Sequence, residues 1–246
     1  MARALILIVG MLLSSLAAAQ SPCGGAGLGT VTVKAVRDVR TLLLADGRTL
    51  RLAALDIPAG REAALRALEG QPLTLKSGAE VRDRYGRLTA FAMAPDAAQT
   101  VQESLLSAGD ARFSGRATGK ACAEALLAGE RQAREARLGL WADPNFAPLR
   151  ADDYGRFRAE RGRFVLVEGK VLSVRQSGAT IYVNFGRRFT RDLSLTILRR
   201  LRGDFTAAGV EPSSLQGRRI RARGWLEYRR GPIVDVTAPE QIEIIE

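Results

Sequence analysis

Histidine is missing from all 246 residues of this chain. That removes Ser-His-Asp and Cys-His hydrolytic machinery and every zinc hydrolase built on imidazole. Cysteine is nearly missing too: Cys23 and Cys122 are the whole supply, and without histidine beside them neither zinc binding nor catalysis follows. Lysine is scarce. Lys34, Lys76, Lys120 and Lys170 are the only lysines among 37 basic residues, so the net charge of +11 rests almost wholly on arginine. Any hydrolysis here must run on carboxylates, arginines and an oxygen-bound metal.

The N-terminal residues have the three parts of an export signal. Arg3 is a short positive region, Ala4 to Leu13 an apolar core, and Ala17-Ala18-Ala19 a small-residue cleavage site, so residues 1–19 are read as a signal peptide. That core is short for a membrane span, and no second long apolar run follows it. The expectation is an exported protein, periplasmic or secreted, with no stable membrane insertion after cleavage. In an oxidising compartment Cys23 and Cys122 read as a disulfide, closing a long loop for roughly 4 to 5 kcal/mol on the chain-entropy model. Two unrelated buried thiols are the alternative. The arginine bias also has two readings. A planar guanidinium suits phosphate, and GC-rich coding replaces lysine by arginine throughout a sequence.

Period-two alternation begins at Gly29 and predicts strands over 30–36, 41–45 and 49–55, with Asp46-Gly47 as a hairpin turn. A short helix from Glu62 to Leu68 ends at Gly70, and strands follow at 73–76 and 88–93. Three strands, a helix and two strands fit a five-stranded OB barrel. Two helices complete this half, one striped by Val101, Leu105 and Leu106 and stopped at Gly109, the other over 121–136. On the second, Glu130 is placed to pair with Arg134 one turn on. Residues 143–163, with Pro144, Pro148 and mixed charges, read as a linker carrying a short helix. The order then repeats over 164–246, with strands at 164–174, 181–185, 193–197, 218–228 and 233–237 and a basic helix at 198–208. The expected class is therefore α+β: a barrel with two C-terminal helices over 29–142, then a smaller second OB-like barrel.

Arg51, Asp56 and Pro58, read with the run Asp83-Arg84-Tyr85-Gly86-Arg87, resemble the active-site strand and turn of the staphylococcal-nuclease-like (thermonuclease) family. Val101-Gln102, Leu105 to Gly109, Glu130 to Ala133 and Gly139-Leu140-Trp141 extend the resemblance over about residues 29–142. It implies a calcium ion held by two aspartates, a glutamate as general base, and two arginines on the phosphate. Arg51 and Arg87 match those arginines, and Asp56 matches one calcium aspartate. Asp38 and Thr41 match positions of the family's Asp-Gly-Asp-Thr run, but the calcium position in it is Arg40. Ala59 stands where the glutamate belongs.

One carboxylate beside a guanidinium offers a hard dication too few oxygens and the wrong field. Loss of a general base alone costs about 10² to 10⁴ in rate. The expectation is thus an anion site of Arg40, Arg51 and Arg87, with Asp56 orienting an arginine and no cofactor. Calcium enters only if the nuclease site works, by Glu62 filling the vacancy from the first helical turn. The partner expected is nucleic acid or another polyanion, with Tyr154, Phe157, Tyr182, Phe185 and Tyr228 as candidate stacking rings. An active metal-dependent nuclease and an envelope scaffold that contacts proteins are the competing readings.

Overall fold

The computed structural model describes residues 21–116 and 119–245. The expected export signal at 1–19 lies outside them. In β1 (Gly27–Asp38), Val31 and Val33 point inward while Thr32 and Lys34 face solvent. The same alternation buries Leu42 and Leu44 on β2 (Thr41–Leu44) and Leu50 and Leu52 on β3 (Thr49–Leu52). After the two-residue strand β4 (Leu55–Asp56) comes the short helix α1 (Glu62–Arg66), which caps the core with Leu65. β5 (Pro72–Arg82) and β6 (Leu88–Met93) then complete a closed barrel in the order β1-β2-β3-β6-β5, with β3 and β6 parallel. Three strands, a helix and two strands do close as the alternation predicts.

α2 (Val101–Ser107) starts at a capping box, in which the Thr100 hydroxyl accepts from the Glu103 N–H and the Glu103 carboxylate accepts from the Thr100 N–H. It ends where Gly109 turns left-handed at φ 75°. β7 (Arg112–Phe113) pairs antiparallel with β4, setting Asp56 opposite Arg112 and Leu55 opposite Phe113. α3 (Lys120–Glu135) packs on α2 and carries Cys122, whose disulfide to Cys23 ties the segment before β1 to this helix.

Residues 143–163, expected as a linker, are packed instead. β8 (Leu149–Arg150) runs parallel to β9 (Phe164–Lys170), and α4 (Tyr154–Ala159) buries Phe157 completely. Leu149, Ala151 and Phe157 supply a second core with apolar surface, which sequence polarity at their neighbours masked. That core lies under β10 (Ser173–Ser177), β11 (Thr180–Asn184), β12 (Ser194–Leu198), β13 (Arg219–Tyr228), β14 (Pro232–Val236) and β15 (Ile242–Ile244), with α5 (Arg202–Ala207) inserting Phe205. Their ladder runs β10-β11-β12-β14-β13-β9-β8, with β15 on β13. It has two free ends, so the hydrogen bonds of this half do not by themselves close a barrel. The order still parallels the first half. β12 and β14 are parallel, as β3 and β6 are, and β9 and β10 are consecutive in sequence where β1 is continuous.

A buried ionic junction joins the halves. Arg223 of β13 is fully buried; it donates to the Phe113 carbonyl (3.0 Å), to Glu130 Oε2 of α3 (2.8 Å) and to Glu243 Oε1 (2.5 Å). The Glu130–Arg134 pair read from sequence is present at 3.6 Å, but Arg223 lies closer. Ala133, Trp141, Phe164 and Leu166 form an apolar cluster beside it. A paired buried charge of this kind is costly to break, since removing one member strands the other.

Candidate functional site

The barrel brings together the arginines that its sequence scatters. Arg51 is flanked on β3 by the core residues Leu50 and Leu52, so its side chain must leave the barrel's other face. Arg87 closes the hairpin after β5. There the Asp83 Oδ1 accepts from the N–H groups of Tyr85 (2.9 Å) and Arg87 (3.1 Å), and Gly86 takes φ 75°. Asp83 Oδ2 also accepts from Arg87 Nε at 2.7 Å, while Arg87 Nη1 donates to Thr41 Oγ1 at 2.8 Å. The guanidinium is therefore fixed before any ligand arrives. Burial pushes the Asp83 carboxyl up, but the bonds from Arg87 and the Tyr85 N–H outweigh it and hold the group below its ordinary value.

Arg40, Arg51, Thr41 and Asp56 line one small concavity of about 20 Å³, room for roughly a single water. Burial lowers the pKa of Arg51, and the positive charges of Arg87 and Arg40, then of Arg116, lower it further against the opposing pull of Asp83. Like charges thus lie close together on this side of the barrel. Among the described residues Arg40, Arg51 and Arg116 have no carboxylate partner. The Arg40 guanidinium lies 5.2 Å over the Trp225 ring, so the second half of the chain positions a member of the first half's cluster. Arg84 and Arg87 flank the exposed ring of Tyr85 at 4.8 and 5.2 Å.

The acidic side of the site has a different use. Asp56 Oδ2 accepts from Arg112 Nη2 at 2.6 Å and Nε at 3.1 Å, across the β4–β7 pair. Arg112 is itself sandwiched between Phe146 and Phe164, at 5.4 and 5.0 Å. Asp56 thus holds an arginine at the junction. Asp38 Oδ1 accepts from the Arg40 N–H, shaping the turn. Ala59 is exposed, and Glu62 Oε1 accepts from the Gly60 N–H at 3.4 Å. No group of three Asp, Glu or Cys side chains stands together for a cation among the described residues. The calcium that the resemblance implies does not fit this donor set, because one carboxylate is bonded to a guanidinium and another cation lines the same concavity.

The candidate stacking rings divide sharply. Phe157 is core, and Tyr154, Phe185 and Tyr228 pack against that core, Tyr154 also lying under Arg191 at 4.2 Å. Tyr182 alone faces outward on its sheet. Arg112, Arg116, Arg223 and Trp225 escaped the sequence reading, because their partners lie in distant parts of the chain.

A five-stranded barrel closed in the order β1-β2-β3-β6-β5 and backed by α2 and α3 is an OB-like α+β fold. Residues 57–143 match the family model for the staphylococcal nuclease homologue. The matched stretch holds Ala59, Arg87 and Glu130 and begins just after Arg51 and Asp56. No curated protein matches the chain. A domain of this kind supports a nuclease-like or nucleic-acid-binding function, and no described helix is long and apolar enough to cross a membrane.

Proposed function

We propose that the protein binds phosphate-bearing polymers, nucleic acid above all, through Arg40, Arg51 and Arg87, with phosphodiester hydrolysis lost or weak. The observation that supports this reading is the fate of the two charges: Arg40 and Arg51 line one concavity and Arg87 Nη1 donates to Thr41 Oγ1 and the Arg40 carbonyl beside it, while Asp56 is bonded to Arg112. Arg87 presents a rigid cation, Arg51 a partly desolvated one, and Arg40 supplies positive charge where a metal would otherwise sit. Bidentate bonds from such forks to a phosphate are charge-assisted and strong. Tyr85, exposed beside Arg87, offers a ring to the attached base. Water attack on the phosphorus has no base at Ala59 and no metal in this scheme, which is why binding without turnover follows. We also assign the protein to an exported compartment, with the Cys23–Cys122 disulfide as support.

The test is calorimetric titration of a nucleoside bisphosphate without calcium, alongside a DNA and RNA cleavage assay with and without calcium. Wild type should bind, and Arg51→Ala or Arg87→Ala should weaken binding about 10- to 100-fold. Robust calcium-dependent cleavage that disappears in Arg87→Ala would establish the active nuclease instead. Failure to bind either bisphosphate or polymer would leave the scaffold reading.

A further inference from the structure

The outer face of the second sheet is built differently from an ordinary solvated face. Ile181, Val183, Leu195, Ile197, Val234 and Val236 point into the core, so their neighbours point out. Register aligns those neighbours in a row across four strands: Arg175 faces Tyr182, Tyr182 faces Thr196, and Thr196 faces Asp235. The adjoining row, Ser173, Asn184 and Ser194, is linked by side-chain hydrogen bonds of 3.3 and 2.9 Å. One wall is the loop between β11 and β12, which meets the hairpin tip after β13. There Gly231 leaves no room for a Cβ against the Phe189 carbonyl. The groove, open to solvent along one side, measures about 1360 Å³. That exceeds the roughly 300 to 1,000 Å³ of small-molecule pockets, so its size suits a stretch of polymer.

Its charge selects which polymer. Arg175, Arg187, Arg229 and Arg230 line it against a single carboxylate, Asp235. Asp235 is bonded to Arg229 and to the Thr196 hydroxyl. The guanidinium groups of Arg175, Arg187 and Arg230 have no hydrogen-bond or ion-pair partner among the described residues. Phe189 stands 64% exposed on the rim and Tyr182 lies on the floor. Unpaired guanidinium groups beside an exposed ring and a floor of hydroxyls match a polyanion that also carries flat apolar faces.

We propose that this groove is a second binding site, for single-stranded nucleic acid, continuous with the arginine cluster of the barrel. It rests on the reading above that the ligand is a phosphate-bearing polymer. Arg116 makes the connection: its Nη2 donates to Thr237 Oγ1 at 3.1 Å, and Thr237 lines the groove. On its other side the segment leading to Arg116 is pinned to the barrel, where the Ser114 N–H donates to the Ala54 carbonyl at 2.8 Å, two residues before Asp56. A strand held by phosphate at Arg51 and Arg87 thus passes Arg116 onto the sheet. There its bases meet Phe189 and Tyr182 and its phosphates meet Arg175, Arg187 and Arg230. Stacking on rings requires unpaired bases, which favours a single strand over a duplex.

The experiment is fluorescence anisotropy with labelled oligothymidylate of about 16 nucleotides, the upper end of single-strand site sizes. It uses the full mature chain and a nucleoside bisphosphate as the probe of the barrel site. Phe189→Ala removes an exposed ring and should weaken the oligonucleotide about 5- to 100-fold. The triple change Arg175→Ala, Arg187→Ala, Arg230→Ala should reduce the slope of log affinity against log salt by about 2. Both variants should keep wild-type bisphosphate affinity and unfolding midpoint. Unchanged oligonucleotide affinity in both would overturn the groove and leave the barrel site standing. Loss in the groove variants with no loss in Arg87→Ala would support the groove and remove the barrel site. No oligonucleotide binding by wild type would overturn the groove, with bisphosphate binding then reporting on the barrel alone.

Discussion

Arg40 occupies the position at which the resemblance calls for a calcium carboxylate, and its guanidinium is held against Trp225, 5.2 Å from the ring. Ala59 leaves the neighbouring position without any polar atom. Calcium takes six to eight oxygens, so neither vacancy alone decides whether it binds. The change Arg40→Asp with Ala59→Glu removes the repelling charge and adds two carboxylates near the one Asp56 oxygen that Arg112 leaves free. The double variant should show a calcium-dependent rise in melting temperature of about 3 to 10 °C at millimolar calcium. Each single variant should show next to none, and scanning calorimetry with and without calcium reads the difference. A comparable rise in wild type would mean that Glu62 or another carboxylate already completes the site.

At the scale of elements, the β4–β7 pair and β13 carry the contacts that bind the halves. Arg223 satisfies Glu130 on α3 and Glu243 on β15 at once, with no side-chain exposure of its own. Arg223→Met should therefore cost about 3 to 5 kcal/mol, because two buried carboxylates lose their main cation. Adding Glu130→Gln and Glu243→Gln should recover part of that loss, since neutral amides are cheaper to bury unpaired. Urea unfolding of the three proteins measures both effects; a loss under about 1 kcal/mol in Arg223→Met would show that apolar packing around Phe164 and Trp141 holds the junction alone. β1 to β3, β5, β6, α2 and α3 were legible because alternation and helical spacing are local signals. The strand and the turn that carry Arg51 and Arg87 were legible, the two arginines themselves being singled out by the resemblance, and Tyr182 lies between Ile181 and Val183 in plain alternation. The Asp56–Arg112 and Glu130–Arg223 contacts were not. They join residues 56 and 93 positions apart, and no periodicity within a strand encodes a partner at that distance. Phe189 was missed for a related reason: it sits in a loop whose wall exists only when Gly231 of another hairpin closes against it.

At the scale of the molecule, the absence of histidine has a thermodynamic consequence. No side chain with an ordinary pKa between about 5 and 8 is present, so that range should leave stability almost unchanged. The acid side differs. Burial pushes the Glu243 carboxyl up from 4.5, but the charges of Arg223 and Arg221 outweigh burial and set it below that value. Asp83 is likewise held below 3.8 through its bonds to Arg87 and the Tyr85 N–H, which outweigh its own burial. In both cases the folded state binds the proton less tightly than the unfolded chain. Their contribution is thus present above the unfolded pKa and is lost as pH falls through the folded value. Glu243 lies in the junction and Asp83 in the turn that holds Arg87, so acid should loosen both halves together. The unfolding midpoint in urea should be flat from pH 8 to about pH 5 and fall steadily below about pH 4.5. Tryptophan fluorescence, from Trp141 and Trp225, and far-ultraviolet circular dichroism should give one coincident transition. A steep loss between pH 6 and 7 would contradict this account. Two separate acid transitions would mean that the Arg223 junction does not couple the halves, even though each half keeps its own core.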